Sequence, residues 1–500
     1  MSYLLKRTAA LLFAVSVTWA ALLAEKLVIL RTNDTHSQIE PTDKGLGGII
    51  RRKALVDSVR NANKNVLLVD AGDMVQGTIY FTLYGGEVES KLMNALGYDI
   101  QILGNHEFDN GIDGLYKFFS LLNADKISTN YDFGDTPLAD IFEPYVIKEF
   151  DGKKIGFIAI NLDPSGMIAA KNSVGVSYYD GIKAANSTAW HLKHNEKCSL
   201  VIALTHIGYQ EDGLISDVQL ARESDDIDII IGGHSHTLID PSDPDSPSWI
   251  INNAEGEPVL VTQTGKSGLG IGEIDIDLDT FEKDYKILPV DSRYDNHIDS
   301  ALCKILEPYK SGVASYYTSV IGKTAGMKKE DWSLVNWMAD FIWGEGKRLT
   351  DKTVNLAITN KGGVRTDLPA GKITKGNILQ IFPFDNKVVV IEMTGQQLYD
   401  AFEIMARRGG DGVSGNVDIT MSGNPPFCRR ILIDGKPIDK NRIYNVATID
   451  YLAGGGDYMT PMKGCKVIAE SKNVLYTDMI DWISKQKKAL KADKTVRMHK

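Results

Sequence analysis

Cysteine is scarce: among 500 residues only Cys198, Cys303, Cys428 and Cys465 occur, widely scattered and without zinc-finger or disulfide-scaffold spacing. A closed thiolate zinc site and a disulfide-stapled fold are thereby excluded. A Cys428 to Cys465 bridge is left open, and Cys198, ahead of an apolar run, reads as a buried thiol. Basic residues do not prevail either, since 55 Lys and Arg face 65 Asp and Glu for a net charge of -10. That balance gives no global attraction to a nucleic-acid polymer or an anionic membrane. Past the first 24 residues, no apolar run is long enough to span a bilayer. Residues 1–24 themselves, with Lys6 and Arg7 before an apolar stretch that ends near Ala20 or Ala24, read as a cleaved secretory signal. The mature chain is expected to be exported, periplasmic or extracellular, and free of the membrane.

What is present is a repeated grammar. With 43% hydrophobic and 24% charged residues the composition is that of a globular protein. Short β-branched runs at 27–30, 66–69, 100–103, 155–160, 200–204, 227–231 and 259–261 read as buried strands, each followed by Asp, Asn, His or Gly. Helix-compatible stretches at 49–60, 86–96, 115–122 and 181–196 lie between several of them, which predicts a layered α/β sheet over residues 25–295. Residues 296–318 predict a linker helix, and residues 319–500 a smaller α+β domain with strands at 354–358, 387–392 and 443–448. The lysine-rich tail, 485–500, reads as a solvated terminal helix.

The residues just after the runs carry the chemistry: Asn33-Asp34-Thr35-His36, Asp70-Ala71-Gly72-Asp73, Gly104-Asn105-His106-Glu107, Thr205-His206 and Gly232-Gly233-His234-Ser235-His236. Five of the nine histidines sit there, whereas His191, His194, His297 and His499 fall in a polar helix, the linker and the tail. Active sites of open α/β sheets gather at strand ends. Imidazole, carboxylate and amide oxygen suit zinc, manganese, iron or cobalt, and a set without thiolate points to a catalytic centre with open positions. There are more candidate ligands than one ion takes, so two ions sharing a carboxylate are expected. Such a pair activates water to hydroxide and clamps an in-line displacement at phosphorus, which makes phosphoester hydrolysis the expected reaction.

This order of motifs resembles the calcineurin-like metallophosphoesterases, specifically the secreted 5'-nucleotidase and 2',3'-cyclic phosphodiesterase family, over nearly the whole mature chain. The resemblance implies a layered metallophosphoesterase sheet sandwich followed by a nucleoside-binding domain. It implies that Asp34, His36, Asp73 and His236 hold one metal, and Asp73, Asn105, His206 and His234 the other. His106 is then a catalytic residue at the phosphate, oriented by Asp109. In the second domain, Asn360-Lys361-Gly362-Gly363-Val364-Arg365 resembles the family's glycine-rich segment, with Asn360 and Arg365 facing substrate. Phe382-Pro383-Phe384 and Tyr451 to Asp457 resemble the segments that hold the base, so Phe384 and Tyr451 are expected to stack on it while Asp457 makes a polar contact.

The expected activity is removal of phosphate from a small nucleotide. A 2',3'-cyclic phosphodiesterase or a UDP-sugar hydrolase would use the same ligands, and a catalytically silent metal- or nucleotide-binding surface protein is the reading from another class. The chain departs from the family where Lys328-Lys329-Glu330-Asp331 stands in place of an additional arginine, which implies one fewer phosphate contact. Tyr451 and Gly454 stand where phenylalanine and asparagine are common.

Overall fold

The computed structural model describes residues 26–42, 44–211 and 214–500. The signal expected at 1–24 lies outside the described residues. Two six-stranded sheets form the N-terminal layers. In the first, Lys26–Thr32, Asn65–Asp70, Ile100–Gln101 and Asp125–Lys126 run parallel, flanked by Gly270–Asp277 and Lys283–Pro289 as antiparallel strands. In the second, Lys153–Asn161, Leu200–His206, Ile229–Ile231 and Pro258–Thr262 are parallel, with Tyr145–Phe150 and Ile250–Asn252 antiparallel at the edges.

The parallel strands are buried on both faces, which is why their sequences are continuous apolar runs instead of alternating ones. Leu27, Ile29 and Val69 of one sheet pack with Phe157, Ile202 and Ile229 of the other in a single core cluster. Each such side chain, fully withdrawn from water, contributes roughly 1.5–3 kcal/mol. The helix Gly181–His194 shows how the outer layer is specified. Asp180 caps its first turn by accepting from Lys183 N, and Ala185, Ala189 and Leu192 form its buried stripe. The run at 100–103 stays a strand only to Gln101, because the Leu103 carbonyl is taken by the Asn161 side chain as the chain turns toward Asn105.

Helix Ser300–Thr318 follows, burying Leu302, Leu306 and Val313. The C-terminal part carries a five-stranded sheet in the order Gly412–Val413, Leu356–Thr359, Ile443–Ile449, Lys387–Thr394, Lys466–Val474, covered by helices that include Ser333–Leu349 and Gly395–Arg407. The tail is not the solvated helix its lysines imply. Met498–His499 pairs with Val417–Ser422 as a strand, and Arg497 is buried, its guanidinium bonded to Asp340, Asp493 and the Val413 carbonyl. A single arginine with three partners outweighs the helical bias of the lysines around it. All four cysteines are free, the Cys428 thiol donating to the Phe402 carbonyl and the Cys465 thiol to that of Pro461. Among the described residues no helix is long and apolar enough to cross a membrane.

Candidate metal centre and adjoining cleft

Because the central strands of both sheets are parallel, their carboxyl ends open on one side, and the loops there are built from costly backbone. Asp34 (φ 49°), His36 (47°), Asp73 (55°), His234 (79°) and His236 (56°) all lie in the left-handed region. Strain of this kind costs of order 1–3 kcal/mol per residue and persists only where surroundings over-determine it. Here the Asp34 amide donates to the Gly72 carbonyl at 2.9 Å, that of His36 to Asp73 at 3.0 Å, and that of His234 to the Asp34 carboxylate at 3.0 Å. Two glycines allow the loops to close in. A Cβ on Gly104 would lie 2.2 Å from Asp73 Oδ1, and one on Gly233 would lie 2.9 Å from His206 Nδ1.

Glu107 is the clasp. Its buried carboxylate accepts from the amides of Gly104 (2.6 Å), Asp73 (3.0 Å) and Met74 (2.8 Å), joining the Asp73 loop to the Asn105 loop. Arg31 acts similarly on Asp34: it donates to Asn33 Oδ1 at 2.7 Å, and Asn33 in turn donates to the Asp34 carboxylate. Glu107 stands in the Gly104 to Glu107 motif without a role that the sequence assigns, and Arg31 does not stand out at all, being the last charge of a strand.

All seven expected metal ligands come to this one place. His36 Nε2 and His236 Nε2 are 2.9 Å apart, and Asp34 Oδ1 lies 3.8 and 3.5 Å from them. His206 Nε2 is 3.2 Å from Asp73 Oδ2, and His234 Nδ1 is 2.9 Å from Asn105 Oδ1. Asp34, His36 and His236 could hold one ion, Asp34, Asp73 and His206 another, and His36, Asp73 and His106 also converge. The chemistry of this set fits divalent cations. The Ala71 carbonyl can only accept, so His206 Nδ1 at 2.7 Å carries the proton, and buried Nε2 turns to Asp73 with no hydrogen bond of its own.

Two buried carboxylates also demand positive charge. Burial opposes a charge on His206, but Asp73, Asp34 and the Ala71 carbonyl together push it up to about 10. Burial, followed by repulsion from His206, lowers His234 to about 4, so that ring is neutral and ligand-competent near pH 7. His106 stands apart in its bonding, with Nδ1 2.9 Å from Asp109 Oδ2. Burial works against its charge, yet Asp109 and Asp73 raise its pKa.

A cavity of about 760 Å³ runs from these ligands to the C-terminal domain, lined by Asp73, His106, Arg365, Phe384, Tyr451 and Asp457 among others. Arg365 stands 5.7 Å from the Phe384 ring and, among the described residues, its guanidinium has no hydrogen bond or ion pair. An unpaired fork facing a cleft suits an anion. Asn360 and Asp457 are joined at 2.7 Å, and the Tyr451 hydroxyl donates to Asp457 at 2.8 Å. In the segment that stands in place of an additional arginine, Asp331 pairs with Lys494 at 2.9 Å. Lys329 is half-buried, and its pKa is lowered by burial and then by Arg365, Lys266 and Lys361.

Comparison with known proteins gives this arrangement its family. The calcineurin-like phosphoesterase model matches residues 27–238, and the 5'-nucleotidase C-terminal domain model matches 316–464. The chain belongs to the metallophosphoesterases that carry a 5'-nucleotidase C-terminal domain. It is 29% identical over 498 residues to a 5'-nucleotidase of Diplobatis ommata, covering 88% of this chain and 84% of that one. It is 28% identical over 491 residues to the trifunctional nucleotide phosphoesterase YfkN of Bacillus subtilis, covering 86% of this chain but only 32% of that longer protein. The crystal structure of a 5'-nucleotidase precursor from Thermus thermophilus superposes with a TM-score of 0.84 at 26% identity, covering 95% of this chain and 99% of that one. This metallophosphoesterase is therefore a phosphoric ester hydrolase, and its fold implies divalent metal ions.

Proposed function

We propose that the chain is an exported 5'-nucleotidase-type phosphohydrolase working with two divalent ions. The observation that carries this reading is the single cavity whose wall includes ligand-set residues Asp73, Asn105, His234 and His236 at one end and Phe384, Tyr451 and Asp457 at the other. The names of the relatives support nucleotides as substrates. Export rests on the signal-like residues 1–24 and is in keeping with a neighbour described as a precursor.

Asp34, His36, Asp73 and His236 would hold one ion, and Asp73, Asn105, His206 and His234 the other. When bound, such ions lower the pKa of water and neutralise charge on phosphoryl oxygens. Arg365 would grip the phosphate with two parallel donors, fixing its orientation. His106, its Nδ1 tied to Asp109, would direct Nε2 at the phosphate and donate a proton to the leaving oxygen, with Asp109 stabilising the imidazolium. Phe384 and Tyr451 would hold the base by stacking, which accepts any base, while Asn360 and Asp457 meet the polar edge of the nucleoside.

The test is phosphate release by the purified mature protein from AMP, 2',3'-cyclic AMP, a UDP-sugar and an aryl phosphate, with chelator and after metal restoration. Chelator-sensitive turnover of AMP well above the aryl phosphate is expected. Preference for the cyclic ester or the sugar nucleotide would replace the substrate, and no turnover with both ions bound would replace the enzyme by a binding protein.

A further inference from the structure

The nucleoside end of the cleft is not built by the C-terminal domain alone. Residues 163–172 belong to the metal-bearing domain, and Met167, Ile168, Ala169, Ala170, Lys171 and Asn172 line the cavity beside Tyr451. This segment is fixed to its own domain from within. The Pro164 carbonyl accepts from the amides of Met167 (3.3 Å) and Ile168 (2.9 Å), Ile168 is buried in the N-terminal core, and Asn172 Nδ2 donates to the Asp109 carbonyl at 3.0 Å.

From that fixed position it reaches the other domain at three points. The Gly166 carbonyl accepts from Tyr458 N at 3.4 Å, and the Tyr451 hydroxyl lies 3.5 Å from the Met167 carbonyl. Lys171 Nζ is 2.8 Å from Asp450 Oδ2, while the other oxygen of Asp450 accepts from the amides of Lys387 and Tyr451, each at 3.0 Å. Asp450 thus ties the segment to the backbone that carries the Tyr451 ring. The approach is close enough to demand glycine: Gly166 has φ 91°, and a Cβ there would lie 2.6 Å from the Tyr458 ring.

We infer that residues 163–172 form a wall of the nucleoside pocket, and that Gly166 and Lys171 help determine preference for nucleoside phosphates over small phosphate esters. The inference rests on the nucleotidase reading above. A nucleoside held at Tyr451 would also meet this segment and so contact both domains, whereas a small ester occupying only the metal end would not reach this wall. The segment therefore couples pocket filling to the approach of the two domains.

The experiment uses the metal-loaded full chain with Gly166→Ala and, as an exposed change that leaves the turn intact, Lys171→Met. AMP and 4-nitrophenyl phosphate are compared by kcat/KM, and adenosine is titrated as an inhibitor of aryl phosphate hydrolysis. For Gly166→Ala the ratio of AMP to aryl phosphate kcat/KM should fall about fivefold or more, chiefly through KM, with adenosine inhibition weakened by the same factor. For Lys171→Met, which breaks a solvent-exposed pair, about twofold is expected. Both ratios unchanged from wild type, or a loss confined to kcat on both substrates, would overturn the wall. A wild-type enzyme with no preference for AMP would overturn the nucleotidase reading itself, a result distinct from either.

Discussion

His106 Nδ1 lies 2.9 Å from Asp109 Oδ2, three residues further along the same short turn. The carboxylate is thus delivered by the element that carries the imidazole. His106→Ala is expected to keep its metal content and lower kcat about 10²- to 10⁴-fold, the usual range for a positioned acid or base. Asp109→Asn should lower kcat less and shift the pH profile toward acid, because the carboxylate that raises His106 is removed. Metal analysis beside steady-state kinetics checks both; metal loss in His106→Ala would make it a ligand.

Among the described residues, Asp73 is shared by every carboxylate and imidazole cluster except that of Asp34, His36 and His236. Asp73→Ala should therefore abolish nearly all activity and release metal. Glu107→Gln keeps one accepting oxygen but sets an NH2 group, itself a donor, against the backbone amides held by the other. Its metal affinity should fall roughly 10- to 100-fold with the fold retained, as for other supports of ligand residues. Competition with a chelator, followed by circular dichroism, measures this, and an unchanged affinity would remove Glu107 from the support of the site.

Tyr451→Ala removes a ring and the hydroxyl that engages Asp457. KM for AMP should rise about 10- to 100-fold, the worth of one stacked base, while turnover of an aryl phosphate changes far less. Equal KM for AMP in both proteins would take Tyr451 out of the nucleoside pocket.

Glu89 is buried against Ser37, and burial raises its carboxyl to about 7. The folded protein then holds a proton that the unfolded chain has released from about pH 4.5 upward. Fewer protons in the unfolded state mean that stability falls as pH rises from 4.5 to about 7, and stays reduced above. Glu89→Gln should flatten this part of the stability profile by one proton, measured as denaturant midpoints at several pH values in the metal-free protein. An unchanged slope would show that Glu89 is already ionised across that range.

Much of the site is legible in the sequence because parallel strands buried on both faces must be apolar, and the first polar residues after them must face the open end of the sheet. Asp34, Asp73, Asn105, His206 and His234 stand out for that reason. The left-handed backbone at His36 and His236 leaves no mark, since neither is glycine and the strain is held by distant amides. The antiparallel strand Gly270–Asp277 escaped because Gly272, Glu273 and Asp275 separate its isoleucines, so no β-branched run forms. The wall at 163–172 is likewise silent: Gly166 and Lys171 become informative only when Tyr458 and Asp450, far along the chain, arrive beside them. Arg497 misled in the same way, as its partner Asp340 lies 157 residues earlier.

That tail has a practical consequence for anyone handling the protein. Strand Val417–Ser422 has Phe427–Ile433 on one side and Met498–His499 on the other, with the Ile419 amide held by the Arg497 carbonyl at 2.8 Å. Clipping the final few residues would strip the cover from a sheet edge and leave Asp340 without its arginine, exposing unpaired backbone that invites pairing between molecules. A variant lacking residues 497–500 should accordingly self-associate before it loses catalysis.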